Sequence, residues 1–175
     1  MLYLITGGSG SGKSKYAENI VTNIQKNVKC NKVYYVATMI PYGDETMQKI
    51  QKHIDMRKEK RFETIECFYD LKNVKIEKNS IVLLECMSNL LANLMYDSEN
   101  KNLNYVEEIL EQVDCLYNQM NTLIIVSNEI FSDGEDYNID MKLYLSNLGE
   151  INKRIAEKAN KVVEVVYSIP IIIKE

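Results

Sequence analysis

A glycine-rich motif near the N-terminus constrains the fold of this chain more than any other feature. The pattern Gly7-x-x-x-x-Gly12-Lys13-Ser14 follows four apolar residues that favour a β-strand, and an amphipathic helix is predicted to begin at Lys13. Strand, glycine-rich loop and helix together are the context of a P-loop. In such a loop the glycines let backbone N–H groups point at phosphate oxygens, and the N-terminus of the helix adds positive potential. The motif predicts binding of a nucleoside triphosphate rather than a plain glycine-serine turn.

Each residue of the motif has an expected role. Lys13 is expected to reach the β- and γ-phosphates, and the hydroxyl of Ser14 is expected to be a ligand of Mg²⁺. The residues predicted to surround the phosphates are Gly7, Gly8, Ser9, Gly10, Ser11, Gly12, Lys13 and Ser14.

Composition limits the remaining function classes. A chain of 175 residues suits a single domain covering residues 1–175, with enough apolar residues for a sizeable core. A net charge of −4 gives no reason to expect nucleic-acid binding. The four cysteines form no C-x-x-C pair, and Cys67 and Cys86 are expected in the core. No apolar run is long enough for a signal peptide or a membrane span, so the cytoplasm is the expected location.

Strands and helices are predicted to alternate along the chain. The predicted strands cover residues 2–5, 33–38, 62–68, 80–86, 123–129, 162–167 and 171–174. Helices are predicted from Lys13, from an N-cap at Asp44 to about Arg61, around residues 90–95, and over 103–121 and 140–159. Loops are predicted at 97–104 and 131–138. This order predicts an α/β fold of the P-loop NTPase type: a mostly parallel sheet flanked by helices, with a C-terminal antiparallel hairpin.

Ligands of parallel sheets bind beyond the carboxyl ends of the strands. The P-loop, Ala37 with Thr38, Glu85, and Asn128 with Glu129 all follow predicted strands. We therefore expect them to meet in one site.

Two side chains outside the P-loop are candidates for chemistry. Glu85 ends an apolar strand as a Walker-B-type carboxylate, which would hold Mg²⁺ or accept a proton from a hydroxyl; its alternative is a cap of the next helix. His53 is the only histidine. A histidine on a charged helix is usually a solvated side chain, but a neutral imidazole can also attack phosphorus as a nucleophile. The spacing alone leaves both alternatives open.

Several segments together resemble one known family, the bifunctional adenosylcobinamide kinase/adenosylcobinamide-phosphate guanylyltransferases of cobalamin assembly. The likeness covers almost the whole chain. The family's R-I-x-x-H segment, whose histidine accepts GMP, matches residues 49–53, and its V-S-N-E segment matches residues 126–129. Further matching segments are the P-loop, residues 35–38, 64–66 and 83–86, Gly149 with Asn152 and Ala156, and residues near 170.

This resemblance implies two reactions. The γ-phosphoryl group of ATP or GTP passes to adenosylcobinamide; GTP then guanylylates His53, and the GMP passes on to give adenosylcobinamide-GDP. It also implies catalytic roles for His53, Lys13 and Glu85, Mg²⁺ held by Ser14 and Glu85, and a homo-oligomer, with a trimer as the expected form. The residues that it places at the guanylyl nucleotide are Ala37, Thr38, Met39, Ile54, Asp55, Met56, Arg57, Glu66 and Glu85. A kinase with one activity and a non-catalytic nucleotide-binding relative are the alternatives.

Overall fold

The fold is built on one twisted sheet. The computed structural model describes residues 1–30, 32–60, 62–97, 104–131 and 137–175, with all their side chains except those of Glu45, Met56, Arg57 and Glu59. The strands are β1 (Leu2–Thr6), β2 (Val33–Ala37), β3 (Glu63–Glu66), β4 (Ile81–Glu85), β5 (Thr122–Val126), β6 (Lys161–Val166) and β7 (Ile169–Lys174). Among the described residues these seven strands lie in the order β3-β2-β4-β5-β1-β6-β7. All pair in parallel except β6 and β7, which form an antiparallel hairpin.

Helices cover both faces of this sheet. They are α1 (Lys13–Asn27), α2 (Gly43–Arg57), α3 (Met87–Tyr96), α4 (Tyr105–Tyr117) and α5 (Ile139–Lys158), with short 3₁₀ turns at Lys58–Lys60 and Leu71–Asn73. In the part of the chain that the structure describes, no helix is both long and apolar enough to cross a bilayer.

Alternation along each strand divides the core between the two faces. In β1, Tyr3 and Ile5 pack on one face with Ala17 and Val21 of α1. Leu2 and Leu4 point to the other face, which carries the larger cluster from α3, α4 and α5. Because successive side chains of a strand alternate, a strand in the middle of a covered sheet is apolar throughout, as the sequence of β1 is. The predicted fold class is confirmed.

Some predicted boundaries are wrong. Asp44 is not an N-cap, because α2 begins one residue earlier at Gly43 and its N-cap is Tyr42. The helix ends at Arg57 instead of continuing to about Arg61, and a 3₁₀ turn follows in which Lys60 pairs with Glu18 of α1. Most of both predicted loops, at residues 98–103 and 132–136, lies outside the described residues.

The β6–β7 hairpin also differs from the prediction. Its strand β7 starts at Ile169 and includes Pro170, which an edge strand tolerates because one side of its backbone is not needed for pairing. The turn consists of Tyr167 and Ser168, with φ angles of 49° and 65°. Positive φ at both central residues is typical of a type I′ turn, which matches the twist of the flanking strands.

This hairpin contacts the P-loop directly. The backbone N–H of Ser168 donates to the carbonyl of Ser11 at 2.8 Å. A Cβ atom at Gly12 would lie 2.7 Å from Ser168 Oγ, and one at Gly7 would lie 2.4 Å from the Val165 carbonyl oxygen. Both glycines also have positive φ, so the two ends of the motif need glycine for space as well as for conformation.

Candidate nucleotide site

The P-loop connects the end of β1 to the start of α1, as the motif predicts. Ser11 N–H donates to the Gly8 carbonyl at 3.2 Å, and Lys13 Nζ donates to the same carbonyl at 3.0 Å. Gly12 precedes the helix and has no side chain with which to cap the first-turn amides. Those N–H groups and the helix dipole therefore create the anion-binding geometry of a P-loop.

Lys13 is held in a buried position beside acidic neighbours. Its residue is only 9% exposed, and this burial lowers the pKa of its ammonium group, while Cys86 and Glu85 act in the opposite direction. Burial raises the pKa of the Cys86 thiol, so this thiol is neutral at pH 7 and Glu85 is the effective counter-charge. A desolvated cation at this place is well suited to a polyphosphate, which would supply the missing negative charge.

Glu85 is the residue at which the predicted chemical groups meet. Its Oε1 accepts a hydrogen bond from Ser14 Oγ and lies 3.7 Å from Nδ1 of His53. Its Oε2 accepts from the hydroxyl of Tyr35 at 3.2 Å. The suggestion that Glu85 caps the next helix is wrong, because the N-cap of α3 is Cys86. The carboxylate instead joins the P-loop to α2.

A cavity of about 1120 Å³ lies in front of these groups. It is bordered by the P-loop, by the ends of β2, β3 and β4, and by one face of α2. The predicted site residues that line it are Ser9, Gly10, Gly12, Lys13, Ser14, Ala37, Met39, His53, Ile54, Glu66 and Glu85. Glu66 and Ala37 are register partners on β3 and β2, so they enter the cavity side by side.

Other predicted site residues lie elsewhere. Thr38 is fully buried behind the wall, where it hydrogen-bonds the backbone of Cys86. Asp55 is on the exposed side of α2 and pairs with Lys58 at 2.7 Å. Gly7, Gly8 and Ser11 support the loop without lining the cavity. The side chains of Met56 and Arg57 lie outside the described part of the chain.

The structure adds residues that the sequence did not single out. Lys49 and Lys52 share with His53 the face of α2 that borders the cavity, and Lys58 lies just beyond the helix. Their i, i+3 and i+4 spacing was the available signal, because residues so spaced lie on one side of a helix. Tyr35, Phe62 and Thr64 carried no comparable signal. Asn128, which was expected here from its place after β5, also lines the cavity and donates to Ser88 Oγ at 2.7 Å.

Together these features define a protein with the P-loop nucleotide-binding fold. A solved structure described as an ATPase domain superposes with a TM-score of 0.53 at 12% identity, covering 93% of this chain and 68% of that one. At this identity the match concerns the fold alone. The sequence model of cobinamide kinase / cobinamide phosphate guanyltransferase matches residues 3–173, and the chain belongs to that family.

Curated relatives agree with this assignment. The bifunctional adenosylcobalamin biosynthesis protein CobU of Salmonella typhimurium is 27% identical, with 99% of this chain and 100% of that protein covered. CobP of Pseudomonas aeruginosa is 26% identical over 98% and 96%. CobU of Escherichia coli is 34% identical, but the match spans 55% of this chain and about half, 51%, of that protein. The predicted family resemblance is confirmed.

Proposed function

We propose that this chain is a cobalamin-biosynthesis enzyme with two activities, an adenosylcobinamide kinase and an adenosylcobinamide-phosphate guanylyltransferase. Family membership supports the role in cobalamin biosynthesis. The observation that carries the two-step chemistry is the shared position of Lys13, Ser14 and His53 on one cavity, with Glu85 in contact with Ser14 and close to His53. The position of His53 beside the phosphate loop supports a role for its imidazole in the chemistry.

In the kinase step, the P-loop amides and Lys13 hold the triphosphate of ATP or GTP. The hydroxyl of the aminopropanol arm attacks the γ-phosphorus, the bond to the β-bridging oxygen breaks, and the nucleoside diphosphate leaves. Ser14 and Glu85 offer adjacent oxygen donors that suit Mg²⁺, which when bound offsets phosphate charge. The hydroxyl proton passes to Glu85, which is the carboxylate bordering this part of the cavity, or to solvent.

In the guanylyl step, a ring nitrogen of His53 attacks the α-phosphorus of GTP. A P–N bond forms, the bond between the α-phosphorus and the bridging oxygen breaks, and pyrophosphate leaves with that electron pair. A phosphate oxygen of adenosylcobinamide phosphate then attacks the same phosphorus, and the P–N electrons return to the imidazole. Covalent capture divides one nucleotidyl transfer into two displacements. Ala37, Met39, Ile54 and Glu66 border the space available to the guanosine.

The decisive experiment is covalent labelling. We expect the parent protein to acquire acid-labile, alkali-stable label from α-labelled GTP but not from γ-labelled GTP, because only the α-phosphorus stays on the protein. A His53→Asn variant should take up no label. Gln51→Ala is the matched control, since Gln51 lies on the same helix, away from the large cavity, and bonds only Asp55 among the contacts described.

Kinase turnover separates the alternatives. Transfer of γ-label from ATP to adenosylcobinamide should survive His53→Asn and be lost in Lys13→Ala. Kinase activity without covalent label would leave a single-activity kinase, and the absence of both would leave a non-catalytic relative.

The C-terminal hairpin supports a homo-oligomer as part of the proposal. In the described structure β7 pairs only with β6, which leaves its other edge open. The strand exposes the isoleucines Ile169, Ile171, Ile172 and Ile173. An open apolar edge invites pairing with another chain, and the occupant that we propose is a second copy of this protein.

A further inference from the structure

The two oxygens of Glu85 have different partners. Oε1 faces Ser14 Oγ and His53 Nδ1, whereas Oε2 accepts from the Tyr35 hydroxyl at 3.2 Å. Glu85 is 8% exposed and Tyr35 only 3%. The carboxylate is therefore held by a buried tyrosine on one side and presents its other oxygen to the proposed nucleophile.

The ring of His53 is asymmetric in this environment. Its Nδ1 is buried and has no hydrogen-bond partner among the described residues, while the side chain as a whole is 24% exposed. A neutral imidazole carries a proton on one nitrogen and a lone pair on the other. A lone pair on Nδ1 would face the negative oxygen of Glu85 and be repelled, whereas an N–H there is attracted. The carboxylate thus favours the form protonated on Nδ1.

We propose that Tyr35 and Glu85 act as a positioning pair that keeps His53 protonated on Nδ1 and so makes Nε2 the nucleophilic nitrogen. This inference rests on the proposed function, because it specifies which atom attacks. The Nε2 lone pair forms the P–N bond as pyrophosphate leaves. The Nδ1 proton stays beside Glu85 throughout, and the carboxylate balances the positive charge that the imidazole gains.

Tyr35 is essential to the pair because Ser14 cannot hold Glu85 during turnover. The Ser14 hydroxyl is also the group expected at the nucleotide's metal, and when it turns there its bond to Oε1 is lost. The bond from Tyr35 to Oε2 remains, and it prevents the carboxylate from rotating away. A carboxylate oxygen has two lone pairs, so Oε1 can then accept from Nδ1 with one of them while the other remains for the proposed Mg²⁺. Nδ1 needs to approach by less than 1 Å from 3.7 Å to reach an ordinary hydrogen-bond distance.

The presence of one histidine permits a direct test. In protein labelled with ¹⁵N-histidine and bound to Mg²⁺ and a GTP analogue with a methylene group between the α- and β-phosphorus, at a pH where the ring is neutral, the two nitrogen shifts report the tautomer of His53 alone. The parent should show Nδ1 protonated and Nε2 unprotonated. Tyr35→Phe and Glu85→Ala should shift the tautomer ratio toward the Nε2–H form by roughly tenfold, the scale of a charged hydrogen bond. Guanylylation by Tyr35→Phe should slow by roughly ten- to a hundredfold, as for other orienting partners of histidines.

The control is Tyr34→Phe, which loses the same hydroxyl from the neighbouring residue on the other face of the sheet. It should keep the parent's tautomer and labelling rate. A Tyr35→Phe protein with the parent's tautomer ratio would overturn the inference; if that variant does not fold, the same result in Glu85→Ala would do so. Absence of label in the parent would instead refute the proposed function. The nitrogen shifts would still show whether Tyr35 and Glu85 set the tautomer of His53.

Discussion

The hydroxyl of Thr38 makes two hydrogen bonds to the backbone of Cys86. It accepts from the Cys86 N–H at 2.7 Å and donates to the Cys86 carbonyl at 2.8 Å. The Thr38 N–H donates in turn to the carbonyl of Glu85 at 3.0 Å. One buried side chain thus fixes the backbone just after the carboxylate of the candidate site, so Thr38 supports that site without bordering it.

We expect Thr38→Val to destabilise the protein by about 1–3 kcal/mol, because an isosteric methyl leaves the buried Cys86 N–H unpaired. The Cys86 carbonyl still accepts from the Leu90 N–H. Thr38→Ser keeps the hydroxyl and should cost roughly 1 kcal/mol for the lost methyl group. Urea denaturation of both variants measures the difference. Equal losses of unfolding free energy in the two variants would show that packing, not hydrogen bonding, explains the contribution of Thr38 to stability.

The buried pair of Glu18 and Lys60 gives a second prediction. Glu18 is fully buried in α1, and Lys60, 23% exposed, reaches it from the 3₁₀ turn after α2. Lys60→Met should lower the free energy of unfolding by about 3–5 kcal/mol, since it leaves a buried carboxylate unpaired. The double variant Glu18→Leu/Lys60→Met should recover much of this loss.

A surface pair is the control for that experiment. Lys158 and Asp114 lie 2.7 Å apart with side chains about half exposed, at 47% and 51%. Lys158→Met should therefore change stability little. If it costs as much as Lys60→Met, burial does not explain the Glu18–Lys60 effect.

Removal of the P-loop lysine should separate stability from function. Because burial lowers the pKa of Lys13, its charge opposes folding at neutral pH. Lys13→Met should abolish phosphoryl transfer and yet melt at or above the parent's temperature. The pKa of Lys13 is lower in the folded protein than in the unfolded chain. The parent therefore gains stability as the pH rises between these two pKa values, and the stability advantage of Lys13→Met shrinks. Calorimetry between pH 7 and the ordinary lysine range measures both effects; a variant less stable at every pH would contradict them.

The exposed edge of β7 gives a fourth prediction, which concerns the oligomeric state. Ile171 and Ile173 both lie in β7 and are 48% and 61% exposed. We expect Ile171→Lys/Ile173→Lys to convert the proposed oligomer into monomers in light scattering, because lysines on an edge block strand pairing. A double lysine change at exposed positions of α5, Ser146→Lys/Glu150→Lys, should leave the oligomer intact. A monomeric parent protein would remove the basis for this prediction.

Local sequence was sufficient for much of this fold. The P-loop, the apolar runs of β1, β4 and β5, and the order of elements predicted the parallel sheet, because a buried strand is apolar on both faces. The start of β7 was missed because the turn at Tyr167 and Ser168 has neither glycine nor asparagine, the usual residues at positive φ. The end of α2 was missed because a tertiary contact, from Lys60 to Glu18, replaces a local stop signal.

The candidate site was predictable in part, again from local sequence. Motifs indicated Lys13, Ser14 and Glu85, and the family resemblance singled out His53. Tyr35 was read as a buried strand residue and as part of a segment that matches the family, but no role was predicted for it. Its proposed role depends on the position of its hydroxyl, which periodicity does not encode. Thr38 is the opposite case. The family resemblance predicted that Thr38 lies at the nucleotide, but its side chain faces the core.

The contact between Ser168 and the P-loop means that the last hairpin buttresses the first loop. Its turn hydrogen-bonds the Ser11 carbonyl and occupies the space beside Gly12, so it restrains the peptide units that precede the helix amides. A C-terminal truncation would therefore disturb anion capture while sparing every residue that borders the cavity. If neighbouring protomers join through β7, assembly of the oligomer also affects the conformation of each P-loop.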